Sequence, residues 1–192
     1  LQLLPGVSSV GEGTSGINVR GAKTDQNLIL MNEALVLSSN HALGFLSAFN
    51  TDVTETFTLY KGNLPANLGG RSGSALNILM RPGDMNSWKG QVGVGTSNGK
   101  ILLEGPLAKD KVSFIAGGRI SNVNWLLNQA RDIDLQNSRL NFYDGYLGLN
   151  WKLAQGHTLE ANTLLTGDEF LFSDQFGYDW SNRVSSLRYR GI

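Results

Sequence analysis

Apolar and polar residues alternate with a period of two from Trp88 to near the end of the chain. Successive side chains of a β-strand point to opposite faces, so this pattern predicts strands with one dry and one wet side. We predict six strands, at residues 88–97, 100–106, 111–120, 141–153, 158–168 and 184–192. A transmembrane β-barrel and a soluble β-sandwich both fit such strands.

The connections between these strands favour the barrel. Asn98-Gly99 is a strong hairpin signal, and the turns at 107–110 and 155–157 are also tight. Longer polar connections are predicted at 121–140 and 172–182. Transmembrane barrels place short turns at the periplasmic rim and longer loops at the other rim. Trp88 and Trp151 are then expected at the periplasmic rim, and Tyr143 near the outer one.

Residues 1–84 follow a different pattern and are predicted to form a separate α+β domain. Runs of strand-forming residues lie at 17–20, 27–31, 54–60 and 74–80. Ser47 to Val53 is predicted to form a helical turn, capped by Asn50 or Asp52. Arg81-Pro82-Gly83-Asp84 ends the fourth run as a breaker, so residues 85–192 form the second domain.

Composition excludes several classes of function. The chain has 16 basic and 16 acidic residues, so it lacks the positive charge of a nucleic-acid-binding protein. It has no cysteine, which excludes disulfides and thiolate metal sites. Neither a secretory signal nor a transmembrane helix is visible in the sequence. A closed barrel can nevertheless cross a membrane without such a helix.

The motifs that suggest catalysis fail on their local context, so we predict no enzyme and no cofactor. Gly95-Thr96-Ser97-Asn98-Gly99 has the spacing of a nucleophile elbow, which requires a helix after the serine. Strand-forming residues follow instead. His41 and His157 have no partners at metal-ligand spacing, so no metal site is predicted.

Short segments throughout the chain resemble TonB-dependent outer-membrane receptors. The plug domain of that family is matched at 4–7 (LPGV), 17–21 (INVRG), 25–30 (DQNLIL), 59–62 (LYKG), 69–71 (GGR) and 74–78 (SALNI). The start of the barrel in the Bacteroidota branch is matched at 103–107 (LEGPL), 110–114 (DKVSF) and 124–127 (NWLL). The segments occur in the family's order, and this resemblance selects barrel over sandwich.

The resemblance implies a plug lodged inside a barrel in the outer membrane of a Gram-negative bacterium. Receptors of this kind have about 22 strands, and six cannot enclose a plug or close a barrel. We therefore expect the chain to be a fragment of a larger receptor. Its expected partners are outer-membrane lipid, the TonB energy-coupling protein, a small solute and, as one option, a surface lipoprotein.

The resemblance also assigns roles to plug residues. Arg20 aligns with a family arginine that ties plug to barrel through carboxylates. Lys61 stands where the family has a second arginine, and a lysine lacks the planar two-point contact with a carboxylate. The alternative is that both cations are simply solvated. Gly21, Gly62, Gly69 and Gly70 are expected to serve backbone turns.

Solute contact is expected from two loops. The first, at 32–45, carries Asn40, His41 and Phe45; the second, at 122–134, carries Trp125 and Arg131. Packing within a surface loop is an equally good explanation for each of these side chains. Three functions stay open: a solute importer, a non-transporting component of an outer-membrane assembly, and a soluble β-rich binding module.

Overall fold

The computed structural model of the chain describes residues 3–11, 14–173 and 175–192. Most of its regular structure is β-strand, divided between two compact units. The first unit comprises the residues up to Phe49 together with Thr54–Arg81. The second comprises Asn50–Val53 and Pro82–Ile192. Among the described residues, no helix is long and apolar enough to span a membrane.

The first unit is built from short strands. These are β1 (Val7–Ser9), β2 (Ile17–Val19), β3 (Leu28–Met31), β4 (Ala34–Leu35), β5 (Asn40–His41), β6 (Leu46–Ser47), β7 (Thr54–Tyr60) and β8 (Ala75–Met80). One sheet has the order β4-β3-β8-β7, and the pairs β1-β2 and β5-β6 are separate. Its described helical content consists of 3₁₀ turns at Thr24–Gln26 and Ala42–Gly44.

The core of the first unit lies along the parallel pair β3 and β8. Leu28, Leu30 and Ala75 are buried there, with Tyr60, Leu64 and Leu68 packed against them. Both strands are nearly continuous apolar runs because they are covered on both faces. The four strands predicted in this part of the chain are confirmed, with small shifts at their ends.

The predicted helical turn at 47–53 is wrong. Leu46–Ser47 is a strand, and the next residues form a tight turn. The N–H of Val53 donates to the Asn50 carbonyl at 3.3 Å, and the N–H of Asp52 donates to Asn50 Oδ1 at 2.9 Å. An asparagine that bonds the backbone two residues on closes such a turn by itself, so no helix is needed.

The second unit is a six-stranded antiparallel sheet in chain order. Its strands are β9 (Lys89–Val94), β10 (Asn98–Ala108), β11 (Val112–Ser121), β12 (Arg139–Ala154), β13 (His157–Phe172) and β14 (Phe176–Arg190). The connection from β11 to β12 carries two short helices, α1 (Asn124–Leu127) and α2 (Ile133–Gln136). The predicted number of strands and the long connection at 121–140 are confirmed.

The long loop predicted at 172–182 is wrong. β13 continues to Phe172 and β14 begins at Phe176, where these two residues pair across a tight connection. The segment alternates as a strand should, with Phe176, Tyr178 and Trp180 against glycine and polar residues. The positions that lie on the apolar face here are Gly177, Asp179 and Ser181. Because they are glycine or polar, the sequence resembles a polar loop.

The sheet has two chemically different faces. The apolar face exposes large side chains: Val92, Val94, Ile101, Leu103, Ile120, Tyr143, Leu147, Leu149, Trp151, Leu153, Leu165 and Leu187. The polar face contains buried polar side chains, namely Glu104, Ser113, Asp144, Asn162, Thr166 and Asp168. The exposed large side chains confirm the predicted alternation, and a soluble sandwich would bury such a face. The polar face also buries apolar side chains, among them Ile115, Phe142 and Leu164.

Two segments outside the strands pack against this sheet within the second unit. Asp52 forms an ion pair with Lys100 at 2.8 Å, and a Cβ placed on Gly117 would lie 2.7 Å from Val53 Cγ1. Gly83 packs directly on β11, since a Cβ there would lie 2.0 Å from the Phe114 carbonyl oxygen. These contacts anchor residues 50–53 and 82–89 to the sheet.

Asp84 organises the turn that leads into β9. Its carboxylate accepts the N–H groups of Asn86 at 2.7 Å and Ser87 at 3.1 Å, and it pairs with Lys89 at 2.5 Å. The Lys89 ammonium, followed by the two N–H groups, holds the pKa of the Asp84 carboxyl well below its ordinary value of 3.8.

This depressed pKa predicts a pH-dependent contribution to folding. The stability that Asp84 supplies should be fully present above pH 3.8 and be lost as the pH falls towards the folded-state pKa. In urea titrations, the stability difference between the wild type and Asp84→Asn should be constant above about pH 5 and shrink below about pH 4. A difference that stays constant down to pH 2 would contradict the assignment.

Candidate functional site

The two cations assigned to the plug–barrel lock lie at one turn of the first unit. The Arg20 N–H donates to the Gly6 carbonyl at 2.8 Å, and the Lys61 ammonium donates to the Pro5 carbonyl at 2.9 Å. A Cβ placed on Gly62 would lie 3.0 Å from Arg20 Nη1, so the guanidinium packs directly against this glycine. The fold therefore brings Arg20 and Lys61 to the same short segment. Within the described residues, no carboxylate forms a salt bridge with either cation.

Three of the four predicted turn glycines have left-handed backbone conformations. The φ angles of Gly21, Gly62 and Gly70 are 81°, 104° and 92°, a region that other residues avoid. Gly69 lies outside that region, and a Cβ there would meet nothing within 4 Å. Gly62 also allows the close approach of Arg20, which gives it a second reason to lack a side chain.

The predicted contact residues Asn40, His41 and Phe45 lie in the β5–β6 hairpin. Ala42 and Leu43 at its tip have φ angles of 54° and 56°, a left-handed conformation that costs roughly 1–2 kcal/mol for each such residue. The tip exposes the side chains of Leu43 and Phe45. Such strain persists only where the surroundings hold it, and it is common at ligand-binding segments.

Ser15 holds this hairpin in place. Its N–H and hydroxyl donate to the Gly44 carbonyl at 2.6 and 2.8 Å, and its hydroxyl also approaches Asn40 Oδ1 at 2.8 Å. His41 has a relative exposure of 0%. Of the three predicted contact residues, Phe45 is therefore the accessible one, whereas His41 supports the hairpin from inside.

The other predicted contact residues, Trp125 and Arg131, lie in the β11–β12 connection. The Trp125 indole N–H donates to the Thr96 carbonyl at 3.2 Å, and both side chains are exposed. Between the two short helices lies a polar cavity of about 290 Å³, lined by Asn124, Asn128, Gln136, Asn137, Ser138 and Arg139. Among the described residues, no group of three or more His, Asp or Glu side chains is arranged to hold a metal ion.

The polar face of the sheet carries ordered pairs of charged and polar groups. Arg119 Nε donates to Asp144 Oδ2 at 2.7 Å, and Arg188 pairs with Glu160 at 2.5 Å. The Tyr146 hydroxyl donates to Asn162 at 2.5 Å. The interior of a transmembrane barrel is likewise lined by polar groups.

Beyond these pairs the polar face ends in an aromatic cluster, which we define as Phe170, Phe172, Phe176 and Tyr178. Neighbouring ring centroids are 5.4–6.5 Å apart, within the range of favourable aromatic contacts. Phe176 and Tyr178 are 49% and 60% exposed. This cluster offers exposed ring faces on the side of the sheet that carries these charged and polar pairs.

Comparison with known proteins gives a match for the first part of the chain. Residues 1–75 match the sequence profile described as the TonB-dependent Receptor Plug Domain. This match supports a plug domain of the TonB-dependent receptor kind in that part of the chain. No curated protein sequence matches it. The branch within the family is untested, so the assignment to the Bacteroidota type stays a prediction.

Solved structures of such receptors share the fold of the chain. The siderophore receptor PirA from Acinetobacter baumannii matches with a TM-score of 0.63 and 18% identity, over 88% of this chain and 29% of its own. A mutant of the ferric enterobactin receptor PfeA from Pseudomonas aeruginosa matches with a TM-score of 0.63 and 16% identity, over 98% of this chain and 35% of its own. The chain thus spans about a third of the receptors it matches.

The chain shares with these solved receptors a plug domain followed by antiparallel strands. This similarity confirms the predicted fold class. Sequence reasoning missed the aromatic cluster because it assigned residues 172–182 to a loop. The signal was present in the alternation of Phe176, Tyr178 and Trp180. Reading it required knowing which face of the sheet is polar, and that depends on the strand pairing with β13.

Proposed function

We propose that the chain is the plug and the first barrel strands of an outer-membrane receptor that imports a scarce solute. One observation carries the proposal: after a plug-family domain, the sheet exposes Leu147, Leu149 and Trp151 at 49%, 38% and 49%. A soluble β-rich module would cover such a face, because large exposed apolar surfaces are costly in water. Hydrocarbon covers it at no such cost.

The dimensions of the apolar face support a place in the outer membrane. On β12 it extends from Tyr143 to Leu153, roughly 33 Å along the strand at about 3.3 Å per residue. A strand tilt of about 40° reduces this to about 25 Å, the height of the apolar band of transmembrane barrels. Trp151 and Tyr143 lie towards opposite ends of the band, as interfacial aromatic residues do.

The proposal divides the chain into a plug at 1–84 and barrel strands at 85–192. TonB would pair with a segment of the receptor by strand addition, in which backbone hydrogen bonds supply the affinity. Pulling then rearranges the part of the plug with the lowest local stability. Arg20 and Lys61 would hold the plug until that moment by pairing with barrel carboxylates. The proposal gives the chain binding and transport rather than catalysis.

Solute contact is assigned to three groups of side chains. These are the hairpin with Asn40, His41 and Phe45, the β11–β12 connection with Trp125 and Arg131, and the aromatic cluster. Within the hairpin, Phe45 makes the contact and His41 shapes it. PirA is described as a siderophore receptor and PfeA as a ferric enterobactin receptor. A ferric chelate is therefore the first solute to test.

Uptake in cells tests the proposal. We expect accumulation of radiolabelled ferric enterobactin, cobalamin or an oligosaccharide to require this receptor and to stop when a protonophore collapses the proton motive force. Membrane fractionation checks its place in the outer membrane. If none of these solutes is taken up through the receptor while it co-purifies with a surface lipoprotein, the chain is instead a component of a non-transporting assembly.

The same uptake assay separates the aromatic cluster from the apolar face. Tyr178→Ala should lower uptake about tenfold, since stacking on an exposed ring is worth about 0.5–1.5 kcal/mol and cluster neighbours lose contact as well. Tyr189→Ala is the matched control, because Tyr189 is similarly exposed, at 57%, but lies on the apolar face. Equal uptake by the two variants would remove the cluster from the solute path.

A further inference from the structure

The apolar face of the sheet contains a groove floored by glycine. Gly118 of β11 lies directly opposite Gly145 of β12, and Gly99 lies opposite Ile120. Ile101 and Leu165 are the cross-strand neighbours on either side of the glycine pair. Without side chains at these positions the face is indented by a groove of about 530 Å³ with an almost entirely apolar lining. We call it the glycine groove.

The groove is open rather than filled by neighbouring side chains. A Cβ placed on Gly145 would meet no atom within 4 Å, and one on Gly118 would come no closer than 3.4 Å to a neighbour. Neither glycine has a left-handed backbone that would explain its presence. The absence of side chains here therefore has no local conformational cause, whereas a ligand lying along the strands would require it.

A second cavity continues the glycine groove beyond the apolar band. It has a volume of about 560 Å³, shares Ile120 and Tyr143 with the groove, and lies around Gly167. The Tyr143 ring covers Gly167, where a Cβ would be 2.4 Å from the ring. The rest of its lining on this face is polar: Asn141, Glu169, Asp179 and Ser181. We call this cavity the headgroup pocket.

The chemistry of the headgroup pocket selects its ligand. Glu169 accepts a hydrogen bond from Asn141 Nδ2 at 3.0 Å, and Asp179 is exposed on the paired strand. Carboxylates accept hydrogen bonds and repel anions, so the pocket suits a group with many O–H donors rather than a phosphate alone. The Tyr143 ring adds an apolar surface on which a sugar ring can lie.

Because an apolar groove leads into a pocket with polar side chains, we propose that the two cavities bind one glycolipid molecule. Its acyl chain lies in the glycine groove and its neutral sugar headgroup in the headgroup pocket. The apolar part lies inside the hydrocarbon band and the polar part just beyond it, at the depth where a lipid headgroup begins. This inference rests on the proposed place of the receptor in the outer membrane, and it does not depend on which solute is transported.

Native mass spectrometry of the purified full-length receptor tests the proposal. The receptor is reconstituted in phosphatidylcholine vesicles that contain equal mole fractions of monoglucosyl diacylglycerol and phosphatidylglycerol, and retained lipids are then counted. We expect one glucosyl lipid to be retained at least fivefold over phosphatidylglycerol. Gly145→Leu, which fills the groove where a side chain meets no atom, should reduce that retention at least fivefold.

Ala161→Leu is the matched control. Ala161 lies on the same face, between Leu149 and Leu187 and outside the lining of either cavity. Ala161→Leu places the same leucine side chain on this face, adding one carbon fewer than Gly145→Leu does, and should leave retention unchanged. Equal retention of the glucosyl lipid by the wild type and Gly145→Leu would overturn the proposal, as would preference for phosphatidylglycerol or closure of the groove by a second receptor copy.

Two further readouts separate this inference from the proposed function. A receptor absent from the membrane fraction would contradict the proposed function itself. A receptor that inserts and takes up solute but retains no glucosyl lipid would overturn the glycolipid site alone. Gly145→Leu is expected to insert and to take up solute like the wild type, because its side chain points away from the polar face.

Discussion

Replacing Gly83 by alanine should destabilise the second unit by about 3–5 kcal/mol, through overpacking and a weakened charged hydrogen bond. The new Cβ would lie 2.0 Å from the Phe114 carbonyl oxygen and 2.4 Å from its carbon. Both atoms belong to the backbone of Phe114, the third residue of β11, which is paired with Gly105 on one side and Leu149 on the other and cannot move aside. The segment 82–84 must therefore lift away from the sheet.

Lifting this segment weakens a second contact. The Asp84 N–H donates to the Glu104 carboxylate at 3.1 Å, and Glu104 is only 3% exposed. The measurement is the urea midpoint of the folded receptor in detergent, followed by its mobility in unheated gels. Gly145→Ala is the control, because its Cβ meets nothing within 4 Å. An equal midpoint for the two variants would show that Gly83 does not anchor the segment.

The second large effect is expected at the Arg119–Asp144 pair on the polar face. The Asp144 side chain is 2% exposed and that of Arg119 is 15% exposed. Arg119→Met should cost about 3–5 kcal/mol, because a buried carboxylate loses its principal cation. The double variant Arg119→Met/Asp144→Leu should recover most of that stability, since it removes the uncompensated charge.

Arg190→Met provides the control for this pair. Arg190 also contacts a carboxylate, that of Glu160, but its side chain is 61% exposed. An exposed ion pair contributes about 0–1 kcal/mol, so this variant should unfold near the wild-type urea concentration. If the double variant proves less stable than Arg119→Met, the ion pair is not the source of the effect.

The sequence predicts strands well where apolar residues recur at every second position. The six strands and their apolar face follow from alternation alone, since a strand with one apolar side carries an apolar residue at every second position. Alternation does not distinguish a barrel from a sandwich. The tight turns at 107–110 and 155–157 also follow from local residues. The turn predicted at Asn98-Gly99 is wrong, because both residues lie in β10, with Gly99 paired to Val94, and the chain turns at 95–97 instead. The family cannot be predicted from alternation. It was suggested by segments such as 17–21 and 69–71, which resemble the plug domain.

Secondary-structure prediction failed in two further segments. In one, the aromatic side chains lie on the polar face of the sheet, and in the other a single residue closes a turn. Residues 172–182 were assigned to a loop because their aromatic side chains lie on the polar face. Residues 47–53 were assigned to a helix because Asn50 is a good helix cap, although it closes a tight turn here. Local propensity does not distinguish these cases, since each depends on which strand lies alongside.

What the sequence alone determined is the alternation, the strand number and the plug segments, because these depend on neighbours close in the chain. Tertiary structure decided which separate residues meet. It placed Arg20 beside Gly62, Gly118 opposite Gly145, and Tyr143 over Gly167. The register between strands fixes these pairs, and a shift of one residue would move every side chain to the other face. The aromatic cluster and the glycine groove are therefore products of pairing rather than of any single segment.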